Sequence, residues 1–231
     1  MNRIHAAAIL PIVFLVTSCA QKWDAAQQAA LSSVAVPAPV IASNAYKKPV
    51  GKMPTGPAPI VAVPGGNAGA GAVGNGLAQL IVEGIGATQQ AMYNSAHADA
   101  ISRVSGTLPG DLSERVRKSV CKELSTNSFF KGKVRDGSPN RLVVKVNSYG
   151  YVRTGKTDGV ILMAPQLQGS FELFDSKGKS ILKQPLIGLA AQHGHALEDF
   201  ANDKKLASDA FNVAIGNFAI MICAAVDQKA G

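Results

Sequence analysis

His193-Gly194-His195, with Glu198 and Asp199 just beyond, is the grouping in this chain that comes nearest to metal chemistry. Neutral imidazoles and carboxylates suit zinc or copper. The spacing is weak for that purpose, because no third histidine lies nearby and His97 is far off in sequence. The expectation is a solvated loop ahead of the last helix, with no metal. Gly69-Ala70-Gly71-Ala72-Val73-Gly74 matches the dinucleotide fingerprint letter by letter, after the apolar run Ile60 to Val63. No parallel βαβ unit follows it, and no acidic residue ends a second strand at the required distance, so nucleotide binding is not expected. There is no Gly-x-Ser-x-Gly, and no carboxylate pair sits on an evident catalytic frame. The residues point away from an enzyme and from any cofactor.

The elements that would carry a function are clearer. The chain has 231 residues, of which 47% are hydrophobic, 16% charged and 6% aromatic, which excludes a collagen, a coiled coil and a disulfide-dense miniprotein. Pro109-Gly110-Asp111 marks a boundary, and Asp111 with Glu114 resembles a capping box. Leu112, Val116, Val120 and Leu124 then form one apolar helical stripe. From Arg141 to Val152 the pattern alternates: Leu142, Val144 and Val146 share one face, and Lys145, Asn147, Tyr149 and Tyr151 the other. Val160 to Phe174 is a second strand, with Leu167, Gly169, Phe171 and Leu173 on one face, joined to the first by a loop near Thr154 to Asp158. Asp175-Ser176-Lys177-Gly178-Lys179 reads as a hairpin turn. Ser180 to Ala190 is a third strand, placed at an edge or bulged by Pro185. A helix from about Lys204 to Val226 closes the pattern, apolar almost all round and so expected to be buried. Asn212, Gly216 and Asn217 interrupt it and argue against a membrane span. The sum is an α+β fold over 104–231, an antiparallel sheet with helices packed on one face.

The N-terminus reads as an export address. Arg3 precedes an apolar run from Ala6 to Val16, too short to span a bilayer. The run closes in Leu15-Val16-Thr17-Ser18-Cys19, which resembles the lipobox of bacterial lipoproteins. That resemblance implies a signal peptide over 1–18, removed ahead of Cys19, and a diacylglyceryl group (with palmitate-type acylation) on Cys19. Two or three acyl chains make a stable anchor. Ala20 after the cysteine, by the same resemblance, favours the outer membrane, with the domain facing the periplasm.

Residues 19–64 are then expected to be lipid anchor and tether. Seven of the twelve prolines fall between Pro37 and Pro64, and such composition favours extended, solvated backbone. Such a tether would reach on the order of 100 Å extended and roughly 40 Å as a coil. Pro39 to Ser43 and Ile60 to Val63 have strand-like residues and could instead dock as edge strands. Over 65–103 a glycine-rich stretch leads into an amphipathic helix from about residue 74, with Leu77, Leu80, Ile81, Ile85 and Met92 on its apolar face. No residue between Lys52 and Glu83 is charged.

An exported domain with two further cysteines, Cys121 and Cys223, invites a disulfide, because the periplasm is oxidising. The alternative is two buried thiols too far apart to bond. The net charge is +8, and residues 111–185 hold 14 basic and 7 acidic residues. Lys131, Lys133, Arg135, Arg141 and Lys145 are the densest part, a candidate contact face or simply a solubilising surface. In the periplasm the partners for such a face are anionic lipid, lipopolysaccharide, peptidoglycan or an acidic protein, not nucleic acid. The layout resembles small periplasmic accessory lipoproteins. The functional expectation is a non-catalytic, lipid-anchored envelope protein that binds a protein partner or an envelope component. The competing expectation is a membrane-active or self-assembling protein driven by residues 65–88.

Overall fold

The computed structural model describes residues 22–49 and 87–231. Cys19 and its lipobox, the prolines beyond Pro49, and the glycine-rich stretch through residue 86 lie outside the described residues. The described elements are α1 (Ala25–Ala30), β1 (Val40–Ile41), β2 (Tyr46–Lys47), α2 (Ala87–Ala96), α3 (Ala98–Val104), α4 (Leu112–Thr126), β3 (Arg141–Thr157), β4 (Val160–Phe174), β5 (Ser180–Leu189), α5 (Leu197–Asn202) and α6 (Lys204–Ala230). The fold is α+β. β3, β4 and β5 form an antiparallel meander, while β1 and β2 both pair parallel to β3, so the sheet is mixed rather than antiparallel throughout.

Side-chain alternation selects the inner face. Leu142, Val144, Val146, Leu167, Phe171 and Leu173 are fully buried. At Asn147 the register slips: Val146 pairs with Gly169 but Ser148 with Gln168. The extra residue inverts the alternation beyond it. Tyr151, expected on the outer face, therefore points inward against Phe200 and Phe211, with its hydroxyl 3.1 Å from that of Thr107. The turn into β4 is also tighter than expected. Thr157 pairs directly with Val160 across Asp158 and Gly159, both at positive φ. Asp-Gly suits this two-residue turn because both positions need left-handed backbone. The second hairpin matches the sequence pattern, with the Asp175 carboxylate accepting from the amides of Lys177 and Lys179.

α6 is long and apolar enough, by length and composition alone, to cross a membrane. Here it lies against β4 and β5 and buries Phe211, Ile215, Phe218 and Ile222 together with a run of alanines. Asn217, one of its polar interruptions, donates to the Leu189 carbonyl at 2.8 Å. The small residues let α6 come close to the sheet. A Cβ on Gly188 would stand 2.2 Å from the Ala214 carbonyl oxygen and 2.6 Å from the Phe218 Cβ.

α4 packs beside α6 and buries Leu112, Val116, Val120 and Leu124. Its expected capping box does not form. The Asp111 carboxylate instead accepts from Arg115 Nε at 2.7 Å, and Arg115 reaches across to Ser208 and Asn212 of α6. In the segment read as an amphipathic helix, the buried ones among the described side chains are Tyr93 and Ala100, whereas Met92 is 68% exposed; Val104, just past it, is buried too. The chain breaks between α2 and α3 at His97, so a single helical period does not run through both.

The largest departure concerns the tether. Residues 22–49 are packed on the domain. Trp23, Leu31, Val34 and Val36 belong to the core. Val34 bridges Val134, and Ala35 to Lys47 then runs parallel along the edge of β3, with Ala35 opposite Arg141, Val40 opposite Lys145 and Tyr46 opposite Tyr149. α4 holds this strip from the other side, Ser113 donating to the Pro39 carbonyl and Arg117 to that of Val36. Proline suits such a strip, since an edge segment needs only part of its N–H groups for pairing.

Candidate functional site

Three features bear on function: the end of the domain at Trp23, the face of the sheet away from the helices, and the histidine group. The backbone N–H of Trp23 donates to the Lys229 carbonyl at 2.8 Å. Its ring meets Phe129 at 5.4 Å, and Phe129 meets Phe130 edge-on. Gln28 Nε2 donates to the carbonyls of both Trp23 and Ala230, tying α1 to the end of α6. The sequence allows a short helix from Trp23 to Leu31 but reads it as poorly capped; α1 forms within that span, and Asp24 does cap it, through a full capping box with Gln27. A shallow depression of about 350 Å³, lined by Ser128, Phe129, Asp227, Ala230 and Gly231, opens at this end.

The five basic residues expected to form one contact face are divided. Lys131 and Lys133 belong to the Trp23 end, Lys133 Nζ standing 4.0 Å from the centre of the Phe129 ring. Arg135 lies on the flank, its amide donating to the Val34 carbonyl. Arg141 and Lys145 project from β3 on the outer face of the sheet, alternating with the inward Leu142, Val144 and Val146. Lys183 of β5 joins them there, with half-buried Val143 among them and half-buried Phe174 beside Arg141. Glu172 sits in the same patch, 3.5 Å from Lys183. A hydrogen bond from Ser180, together with Lys183 and Lys145, holds its carboxyl below the usual range.

Cys121 and Cys223 are both free thiols. α4 and α6 are neighbours, as a bridge requires, but the thiols occupy different flanks. Cys121 is next to Arg117, Asp136 and Glu114, whereas Cys223 faces Glu123 and Asp227. Positions 121 and 123 of one helix point about 160° apart, so the side of α4 that meets Cys223 is not the side bearing Cys121. Burial pushes the Cys121 thiol up, and burial plus the two nearby acids pushes that of Cys223 up to about 12. We expect two titratable thiols on denaturation without reductant, and no change in thermal midpoint on adding reductant. Loss of thiol titre would restore the bridge.

The same burial sets an alkaline limit. Tyr93 and Tyr151 are raised from 10.0 to about 12 by burial, with Glu198 adding to the shift at Tyr93. The unfolded chain releases these protons, and that of Cys223, at lower pH than the fold does. Stability is therefore full below pH 9.0, the ordinary thiol value, and falls toward pH 12. Urea midpoints should drop from pH 9.0 upward toward about pH 12, less steeply in Cys223→Ala. A flat profile would contradict the burial.

The histidine group is assembled differently from its sequence order. His195 lies on β4, its backbone paired with Met163 and its ring against Phe200. His97, distant in sequence, meets Glu198 through Nδ1 and stacks on Tyr93 at 4.2 Å. Among the described residues no three His, Cys, Asp or Glu side chains are grouped to hold a metal ion. Burial works to raise the Glu198 carboxyl, but the hydrogen bonds from His97 and from its own amide, with the charges of His97 and Arg103, outweigh it and hold the group low. Its contribution is present above pH 4.5 and lost as pH falls through the lowered value. Glu198→Gln should loosen α3 from α5 by about 0.5–1 kcal/mol, read as faster amide exchange in α3 at neutral pH. Unchanged exchange would make the contact incidental. Nothing in the sequence around His97 signalled this pairing.

No protein-family model matches the chain, and no curated protein matches it in sequence. Among solved structures it is similar to the crystal structure of a minor lipoprotein from Acinetobacter baumannii. The identity is 15% and the TM-score 0.38, over 51% of this chain and 84% of that one. A likeness this slight carries no argument about this chain's role.

Proposed function

We propose that the chain is a lipid-anchored, non-catalytic envelope protein whose domain binds a protein partner or an envelope component at the outer membrane, in an accessory or scaffold role. The observation that carries the reading is Leu15-Val16-Thr17-Ser18-Cys19 at the end of an apolar run, directly ahead of a folded domain. The outer sheet face supports the binding half of it. Arg141, Lys145 and Lys183 surround half-buried apolar side chains, a combination that suits a partner with an apolar centre and acidic rim.

Two measurements test it. The intact mass of the protein from its native membranes should carry acyl groups on a chain beginning at Cys19, and Cys19→Ala should abolish them. Crosslinked pull-down of the full-length protein should recover a stoichiometric partner, lost on Lys145→Glu/Lys183→Glu. An unmodified mass overturns the anchor. Recovery of the protein alone overturns the accessory role in favour of self-assembly.

A further inference from the structure

We infer that the Trp23 end of the domain lies directly on an anionic phospholipid surface, with Lys22, Lys131 and Lys133 at the headgroups. The inference rests on the lipid-anchor reading above and gives that anchor an orientation. Only four peptide units separate Cys19 from Trp23, which is 5% exposed and locked to the backbone of Lys229. Four units span at most about 14 Å, so an acylated Cys19 leaves this end no room to stand away from the bilayer. The opposite end is remote: β3 runs from Arg141, paired with Ala35 of the docked strip, to Thr157 at the far hairpin, a rise of roughly 50 Å.

The charge at the near end suits the lipid. Lys22 and Lys131 are exposed, and Lys133 extends over the outer side of Phe129. Lys22 also donates to the Gly231 carbonyl, which holds it at this end. Two acids share this end, Asp24 accepting from the Gln27 amide and Asp227 from Asn127 and Ser128; these neutral donors leave both carboxylates charged, so the three lysines outnumber them by one. An acyl anchor beside a basic patch is the two-signal arrangement that stabilises membrane attachment, each lysine near an anionic surface strengthening it. The candidate face is therefore a headgroup contact, while the outer sheet face stays free for a partner.

The test uses the full-length acylated protein in phosphatidylcholine vesicles with or without phosphatidylglycerol, under single-hit acylation of lysines read by mass spectrometry. We expect Lys22, Lys131 and Lys133 to be modified about fivefold more slowly when phosphatidylglycerol is present, with the protection lost at high salt. Lys156 and Lys204, on the far side, should be indifferent. Lys131→Glu/Lys133→Glu, with an unchanged circular dichroism spectrum, should abolish the protection at Lys22. Equal labelling on both vesicles, in protein whose mass confirms acylation, overturns the orientation and leaves the anchor standing. Protection that appears only in native envelopes and not on pure lipid also overturns it. A protein without acyl mass removes the anchor, and the orientation with it.

Discussion

Gly188→Ala should cost about 3 kcal/mol of stability, while Gly216→Ala, in the helix facing it, should add about 0.5–1 kcal/mol. At Gly188 the new methyl meets the Ala214 carbonyl oxygen at 2.2 Å and the Phe218 amide nitrogen at 2.8 Å. Those atoms are helix backbone and cannot rotate aside, so α6 must lift from β5 along its length. Phe218, fully buried, is clamped between this glycine and Gly169, where an added Cβ would stand 3.2 Å from the Phe218 ring and 2.0 Å from the Lys145 carbonyl. Gly216 has nothing within 4 Å of an added Cβ and sits inside a regular helix, so alanine there removes only the entropic cost of glycine. Urea denaturation of the two variants decides the matter. A loss under about 0.5 kcal/mol for Gly188→Ala would mean that α6 does not approach the sheet as described.

Trp23→Ala should cost about 3–5 kcal/mol, and Trp23→Phe much less. Trp23 is the sole tryptophan, so its emission reports its own burial. The native protein should emit at short wavelength and shift to the red on unfolding, in step with circular dichroism. The substitution removes the ring that meets Phe129 and starts the docked strip along β3. Freed back to Leu31, the chain between Cys19 and the fold grows from four units to twelve, about 43 Å at full stretch. The headgroup protection of Lys131 should then weaken even though both lysines remain. Native emission already at the red, or a loss below about 1 kcal/mol, would show that residues 22–36 do not hold to the domain.

Trp23 and the glycines that clamp Phe218 differ in how far they could be read from sequence. Gly169 was legible as one member of the inward face of β4, because alternation places it with Leu167, Phe171 and Leu173. Its reason for being glycine was not, since Phe218 lies about fifty residues on. Trp23 sat in a stretch whose prolines signal solvated chain. The same composition serves an edge strip pinned by α4, and local composition does not distinguish the two. The expected edge pairing of Pro39 to Ser43 was the part that docking followed, with β1 at Val40–Ile41. The candidate basic face was legible as charge density but not as surface, because sequence neighbours such as Lys133 and Arg141 leave the fold in different directions.

The sequence alone determined the elements whose burial follows a short period. These were the stripe of α4, the inward face of β4, the turn at Asp175–Lys179 and the start of α6 at Lys204, each encoded by side chains within a few residues of one another. Only the tertiary structure decided the rest. It set the parallel strip on β3, the inversion of Tyr151 by the bulge at Asn147, the separate flanks of Cys121 and Cys223, and the meeting of His97 with Glu198. Each of these depends on which distant segments share a boundary. Pairing across a hundred residues leaves no periodic trace in the chain, because its energy comes from shape and hydrogen bonding that exist only once both partners are in place.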